Sequence, residues 1–121
     1  MLTYEMSGNV LMLHVRGTPT EIERHAAYDA IAKDPNVPAA ALVLLDARRA
    51  DAPGSFADVE HRAHTLVERL GDKLGAACAV IVPPRLAAEG EHIEALAPRL
   101  GIQIGLFRDE PDARNWLRTF E

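Results

Sequence analysis

The sequence contains one cysteine, Cys78, among its 121 residues. An intrachain disulfide and a metal site built from several cysteines are therefore excluded. Alanine and aliphatic residues surround this cysteine in sequence, and in such a setting a thiol most often packs as a small hydrophobic side chain. We expect Cys78 to be buried in the core.

Basic runs and long apolar stretches are also lacking. The formal net charge is −5, and Arg48-Arg49 is the only adjacent basic pair. Nucleic-acid binding, which needs clustered positive charge, is not expected. No stretch reaches the roughly 20 apolar residues of a membrane-spanning helix, and Glu5, Gly8 and Asn9 interrupt any signal-peptide core. We therefore expect a cytoplasmic protein without a transmembrane segment.

Linkers, internal repeats and low-complexity tracts are absent as well. Hydrophobic residues make up 48% of the chain and charged residues 26%, which is ordinary for a globular domain. The length and composition together predict a single domain spanning residues 1–121.

The strongest pattern is the apolar run Ala41–Leu45, which stops at Asp46. An unbroken run of this length, with helical patterns on both sides in sequence, predicts a strand buried on both faces. Ala77–Val82 predicts a second such strand. Alternating apolar and polar residues predict three half-buried strands, at 2–6, 10–16 and 102–106.

Apolar residues at helical spacing predict four helices between and after these strands. Thr18 is the expected N-cap of the first, with Glu21 completing a capping box. Its expected apolar face consists of Ile22, Ala26, Ala27, Ala30 and Ile31. Ser55 is the expected N-cap of the second helix, which follows the central strand. A weaker third helix contains Gly90.

The last helix is expected to begin at Asp109 or Glu110 and to dock on the body of the domain. Its apolar residues lie at i, i+3, i+4 and i+7, and they are Ala113, Trp116, Leu117 and Phe120. We expect Trp116 at the centre of this stripe to be largely buried.

The order of elements is therefore ββαβαβαβα, an α/β fold with a five-stranded, mostly parallel sheet and an antiparallel edge strand. Only the third and fourth strands are apolar on both faces. We expect the helices mainly on one face of the sheet and the other face to be partly open.

Three features resemble the SpoIIAA-like family of STAS type. They are the opening hairpin, the central strand closing with Leu44-Leu45-Asp46, and the segment Glu110–Leu117, which contains Ala-x-x-Trp-Leu. The resemblance covers nearly the whole chain and rests mostly on the order of elements. It implies a sheet with one antiparallel edge strand and helices largely on one side.

The family also implies two kinds of function. Its best-known members are regulatory and are switched by phosphorylation of a serine at the start of the helix after the central strand. Ser55 lies near that position, but the family's Asp-Ser pattern followed by Gly is absent from Asp51–Ser55. Lipid-binding relatives, such as the domains of phosphatidylinositol transfer proteins, need a deep apolar pocket. We expect a core of this size to leave little room for one.

Four polar residues after the central strand form a candidate ligand site: Asp46, Arg48, Asp51 and Ser55. Carboxyl ends of parallel strands are where α/β folds usually bind ligands. The alternative is that Asp46 caps backbone amides of the loop. Ser55 could act as a nucleophile with His14 or His61 as base, or simply as an N-cap. Without a nucleophile elbow or a glycine-rich phosphate loop, neither an enzyme nor a cofactor is expected.

The second helix also carries a His-x-x-His pair flanked by glutamates: Glu60, His61, His64 and Glu68. This spacing could bring metal ligands together, but these residues lie opposite the apolar stripe. A solvated helix face is the better interpretation.

The open face of the sheet predicts an interface. Val10, Met12, His14 and Arg16 project together from the second strand, next to either Val43 and Leu45 or Leu42 and Leu44. An uncovered apolar patch needs a second subunit, a partner or a helix to cover it. We expect a homodimer with Met12 near the centre of its interface and His14 at the edge.

These observations predict a non-catalytic regulatory or protein-interaction module of STAS type. Its partner would be another protein or a second copy of the chain. The alternative is a module that binds a small molecule or a lipid through the loops after the third and fourth strands.

Overall fold

The computed structural model describes residues 1–121. The elements are β1 (Leu2–Ser7), β2 (Val10–Gly17), α1 (Glu21–Lys33), β3 (Ala41–Ala50), α2 (Phe56–Leu70), β4 (Leu74–Ile81), α3 (Ala87–Ala95), α4 (Ala97–Leu100), β5 (Gln103–Phe107) and α5 (Glu110–Arg118), with 3₁₀ turns at Gly71–Lys73 and Pro84–Leu86.

The five strands form one sheet in sequence order, β1-β2-β3-β4-β5. β1 pairs antiparallel with β2, and every other pair is parallel. The predicted α/β fold and its antiparallel edge strand are therefore confirmed. The third predicted helix is divided into α3, which contains Gly90, and α4. Pro98 in the first turn of α4 has no backbone N–H group to donate to a carbonyl of α3, so α3 does not continue through it.

Two elements differ from their predicted boundaries. β3 continues to Ala50 instead of stopping at Asp46, and its register with β2 shifts between His14 and Arg16. Thr20, not Thr18, caps α1, with Glu23 completing the capping box. Thr18 instead donates a hydrogen bond to the Asp51 carboxylate at 2.9 Å.

The first helix is also rotated relative to its predicted apolar face. α1 buries Tyr28 and Ile31, whereas Ile22 is 82% exposed. Burying the Tyr28 ring removes far more apolar surface from water than burying the alanines that dominate the predicted face. The larger side chain therefore determines which side of the helix packs.

One face of the sheet packs against α1 to α4. Its core contains alternate strand residues such as Leu11 and Val43, and it includes Leu66 and Leu70 of α2. Cys78 is buried on this face, as predicted. The packing leaves a cavity of about 160 Å³, close to the volume that admits benzene in another protein, and the expectation of little room for a deep lipid pocket stays a prediction.

The opposite face is covered by α5, so the predicted open face is wrong. Val10 and Met12 are 5% and 3% exposed and lie in a second core with Ala113 and Leu117 of α5. The helix stripe was recognised in sequence, but periodicity does not say which face of a sheet a helix covers. The predicted homodimer was inferred from an uncovered apolar patch that the structure does not show. The homodimer itself stays a prediction.

A glycine on β5 permits the close approach of α5. A Cβ atom at Gly105 would lie 2.8 Å from the Phe107 ring and 3.1 Å from the Trp116 ring. Trp116 packs between Phe107 and Phe120, at ring-centroid distances of 5.5 and 4.8 Å. Trp116 has intermediate exposure and packs against the core under α5, so most of its side chain is buried, as expected.

Helix α2, the longest at 15 residues, is too short for a membrane span, and none of the helices meets the length and hydropathy that a span requires.

The second core can be tested by truncating its best-buried helix residue. Leu117 is 1% exposed, so Leu117→Ala should lower the free energy of unfolding by about 2–5 kcal/mol. Arg118→Ala, at an exposed neighbouring position, is the matched control and should change it by less than about 0.5 kcal/mol. Urea denaturation measures both. Equal small effects would mean that α5 does not cover the sheet.

Candidate functional site

The predicted site residue Asp46 lies on β3 and forms a closed pair with Arg48. Asp46 Oδ1 accepts hydrogen bonds from the Arg48 backbone N and Nε, both at 3.0 Å, and Oδ2 accepts from Nη2 at 2.8 Å. Hydrogen bonding from the Arg48 side chain is the main cause that lowers the pKa of Asp46. The amide contact is the capping role that the sequence offered as the alternative to a ligand site.

A polar row extends from this pair across three strands. The Nε2 atom of His14 lies 3.2 Å from Glu5 Oε1, and its Nδ1 atom lies 3.9 Å from Asp46 Oδ2. Glu5, His14 and Asp46 come from β1, β2 and β3 and lie beside the end of the apolar core under α5. The members of the row pair with one another, and the row contains no hydroxyl or thiol group.

The other two predicted ligand residues have different partners. Asp51 accepts the hydrogen bond from Thr18, and the Ser55 Oγ atom accepts one from the Asp58 backbone N at 3.1 Å. The predicted N-cap of α2 is therefore confirmed. No hydrogen bond or ion pair joins Asp51 or Ser55 to the Asp46–Arg48 pair, and ligand binding by these four residues stays a prediction.

The histidines considered as bases for Ser55 have other partners. His14 lies between Glu5 and Asp46, as described above, and His61 Nε2 lies 3.3 Å from Glu21 Oε1 of α1. Neither histidine hydrogen bonds to Ser55. The hydroxyl therefore has no base to accept its proton.

Glu60 and His61 of α2 contact two different helices. His61 pairs with Glu21 of α1, whereas Glu60 Oε1 lies 3.1 Å from His92 Nε2 of α3. Nowhere in residues 1–121 do three or more His, Cys, Asp or Glu side chains lie close enough to share a metal ion. Glu60 and His61 therefore join α2 to its neighbours, whereas His64 and Glu68 are exposed, as expected for a solvated helix face.

A cluster of arginines that the sequence analysis missed lines the carboxyl ends of the parallel strands. We call it the arginine edge, and it consists of Arg16 on β2, Arg49 on β3, Arg85 after β4 and Arg108 after β5. All four are exposed, and none forms an ion pair. The Arg85 side chain donates to the Arg48 backbone oxygen at 3.2 Å, which holds it against β3.

The arginine edge is invisible to a search for basic runs because its residues are far apart in sequence. The available signal was that an arginine stands at or just beyond the end of each predicted parallel strand. Strand order then places them side by side, and Arg16 and Arg49 are direct register partners. Strand order thus brings these arginines together in a chain whose net charge is −5.

The fold has known counterparts among solved structures. An uncharacterised DUF3478-family protein with a SpoIIAA-like fold, from Shewanella loihica PV-4, matches with a TM-score of 0.67 and 18% identity over 97% of this chain and 92% of that one. An anti-sigma factor antagonist from Mycobacterium paratuberculosis matches with a TM-score of 0.58 and 22% identity over 98% of this chain and 93% of that one.

No family model matches the chain, and no curated protein matches it in sequence. At these identities the two structural matches establish the fold. The chain has the SpoIIAA-like fold that its resemblance predicted.

The Asp46–Arg48 pair can be tested through pH. The folded protein holds the pKa of Asp46 below its unfolded value, so the carboxylate stabilises the fold above about pH 4, and this contribution is lost as pH falls through the folded pKa. Asp46→Asn should therefore lower the free energy of unfolding by about 1–2 kcal/mol at neutral pH and by progressively less in acid.

The control for this experiment is Asp72→Asn, which changes an exposed carboxylate that forms no ion pair. Urea denaturation across the acid range measures all three proteins. A difference between wild type and Asp46→Asn that does not depend on pH would contradict the assigned pair.

Proposed function

We propose that this chain is a non-catalytic regulatory module of STAS type that works in the cytoplasm by binding an acidic surface of a protein partner at the arginine edge. The observation that carries the proposal is the row of exposed arginines from neighbouring strands. The structural likeness to an anti-sigma factor antagonist, a protein whose name describes action on another protein, supports a role in regulation.

Electrostatics favour an acidic partner at this edge. Arg16 and Arg49 are opposite each other in the β2–β3 register, and neither has a carboxylate partner. Like charges held directly opposite each other in a sheet are destabilising. Carboxylates of a partner would relieve this repulsion, and complementary charge would also speed association.

A different protein fits better than a second copy of the chain. In a two-fold dimer the same surface patch meets itself, so a self-contact of the arginine edge would place arginine against arginine. The apolar face from which the homodimer was inferred lies under α5. Both considerations favour an acidic protein of another kind.

The non-catalytic part of the proposal rests on how the reactive groups are used. His14 and His61 are paired with carboxylates, and the Ser55 hydroxyl caps α2. Cys78 is buried, and burial raises the pKa of its thiol to about 12, so it remains protonated and unreactive at neutral pH.

The test is to identify a partner by affinity capture from the source cells at low salt and then to reconstitute the complex from purified proteins. Reversing two charges with Arg16→Glu and Arg49→Glu together should weaken binding by about tenfold or more, and the wild-type affinity should fall as salt is added. Isothermal titration calorimetry measures both effects.

Arg99→Glu on α4 is the matched control, because it reverses an exposed arginine that precedes β5 and lies away from the carboxyl edge. It should leave the affinity within about twofold of wild type. If the double variant binds as well as the control, the arginine edge is not the binding surface.

A further inference from the structure

The cavity in the larger core lies between the sheet and helices α1, α2 and α3. Its volume is about 160 Å³, and 18 of its 25 lining residues are hydrophobic. An engineered apolar cavity of about 150 Å³ in another protein binds benzene. This cavity therefore has room for an apolar group of about six carbons.

Two polar atoms at this cavity have no partner within the chain. They are Nε of Arg62, on α2, and Oε2 of Glu89, on α3, and they are the only buried side-chain nitrogen and oxygen atoms in residues 1–121 without a hydrogen bond. Buried polar groups are almost always hydrogen bonded. The Arg62 Nε donor could therefore be satisfied by an anion bound in the cavity, whereas Glu89 Oε2 is an acceptor that an anion does not satisfy.

Positive charge is concentrated at one part of the cavity wall. Arg24 of α1 and Arg62 of α2 both line it. Burial and the Arg24 charge lower the pKa of Arg62, and the charge of Asp58, one turn earlier on α2, acts in the opposite direction. The Tyr28 side chain lies near both arginines, and its hydroxyl forms no hydrogen bond within the chain. An anion placed here would accept hydrogen bonds from Arg62 and offset the repulsion between the two guanidinium groups.

We propose that this cavity binds a small monocarboxylic acid, with its carboxylate facing Arg62 and Arg24 and its hydrocarbon body among the aliphatic side chains of the sheet and α2. Glu89 forms no ion pair with either arginine and would repel a carboxylate. The ligand is therefore oriented with its anionic end towards α1 and α2 and its neutral end towards α3.

This site differs from the one predicted from sequence. The expected small-molecule site used the loops after the third and fourth strands, whereas the cavity lies beneath the helices that cover the sheet. Of the four predicted ligand residues only Asp51 lines the cavity, and Pro53 and Leu86, which follow β3 and β4, line it as well. The inference does not depend on partner binding at the arginine edge.

Isothermal titration calorimetry with three six-carbon probes tests the site. Hexanoate should bind saturably at roughly millimolar concentration or below. Hexylammonium, which has the same chain and the opposite charge, should bind at least about tenfold more weakly, and 1-hexanol should lie between them. Arg62→Met should weaken hexanoate by about tenfold or more and leave 1-hexanol within about twofold.

A second pair of variants tests the location. Ala63 lines the cavity, whereas Ala57 is exposed on the same helix. Ala63→Leu should fill the cavity and abolish hexanoate binding while the melting temperature stays the same or rises, and Ala57→Leu should bind as wild type does.

Three results would overturn the proposal. Saturable binding of none of the probes would mean that the cavity takes no ligand of this class. Equal binding of all three would show an apolar hole without an anion site. Undiminished hexanoate binding by a folded Ala63→Leu variant would place the ligand somewhere else.

Discussion

The structure depends on a central strand that must be kept from water on both faces. Val43 and Leu44 are successive residues of β3, point to opposite faces of the sheet, and are both 0% exposed. Burying such side chains stabilises the fold by roughly 25 cal/mol for each Å² of apolar surface removed from water. A sheet covered on one face only would leave half of this strand's apolar surface exposed. The nine residues of α5 supply the second cover, which makes the last helix part of the core.

The way the two faces are covered explains where the remaining chemistry lies. Helix α5 packs Ala113 and Leu117 in one core with Ala77 and Ala79 of β4. On the other face, alanines stand on both sides of the gap: Ala63 on α2 and Ala47 and Ala50 on β3 all line the cavity. Protein interiors are normally packed without voids of this size. With both faces covered by the chain itself, the arginine edge remains exposed at the end of the parallel strands.

The sequence predicted the order of elements and most strands because periodicity and turn residues are local signals. It also predicted the Ser55 cap and the start of α5 at Asp109, since a capping residue acts within its own turn. The capping of α1 was misplaced because Thr18 and Thr20 both stand three residues before a glutamate, and only the tertiary contact of Thr18 with Asp51 distinguishes them.

Features that depend on packing were out of reach. Periodicity showed that α5 has an apolar stripe but not which face of the sheet it covers, and this produced the mistaken open face. The arginine edge requires strand order and register, which bring Arg16 beside Arg49. Of the four predicted ligand residues, Asp46 and Arg48 form a pair. Asp51 instead accepts a hydrogen bond from Thr18, and Ser55 caps α2. The cavity exists because the helix and sheet side chains around it do not fill the space between them, and the size of that gap cannot be read from a sequence.

The central claim is that the chain covers both faces of its own sheet, and native-state hydrogen exchange of the free protein tests it most directly. If α5 is part of the core, the amides of Trp116 and Leu117 should exchange as slowly as those of Ala79 and Ile81 on β4, because they open in the same cooperative unit. Rapid exchange throughout α5, with β4 still protected, would show that the helix leaves the sheet uncovered and would contradict the account.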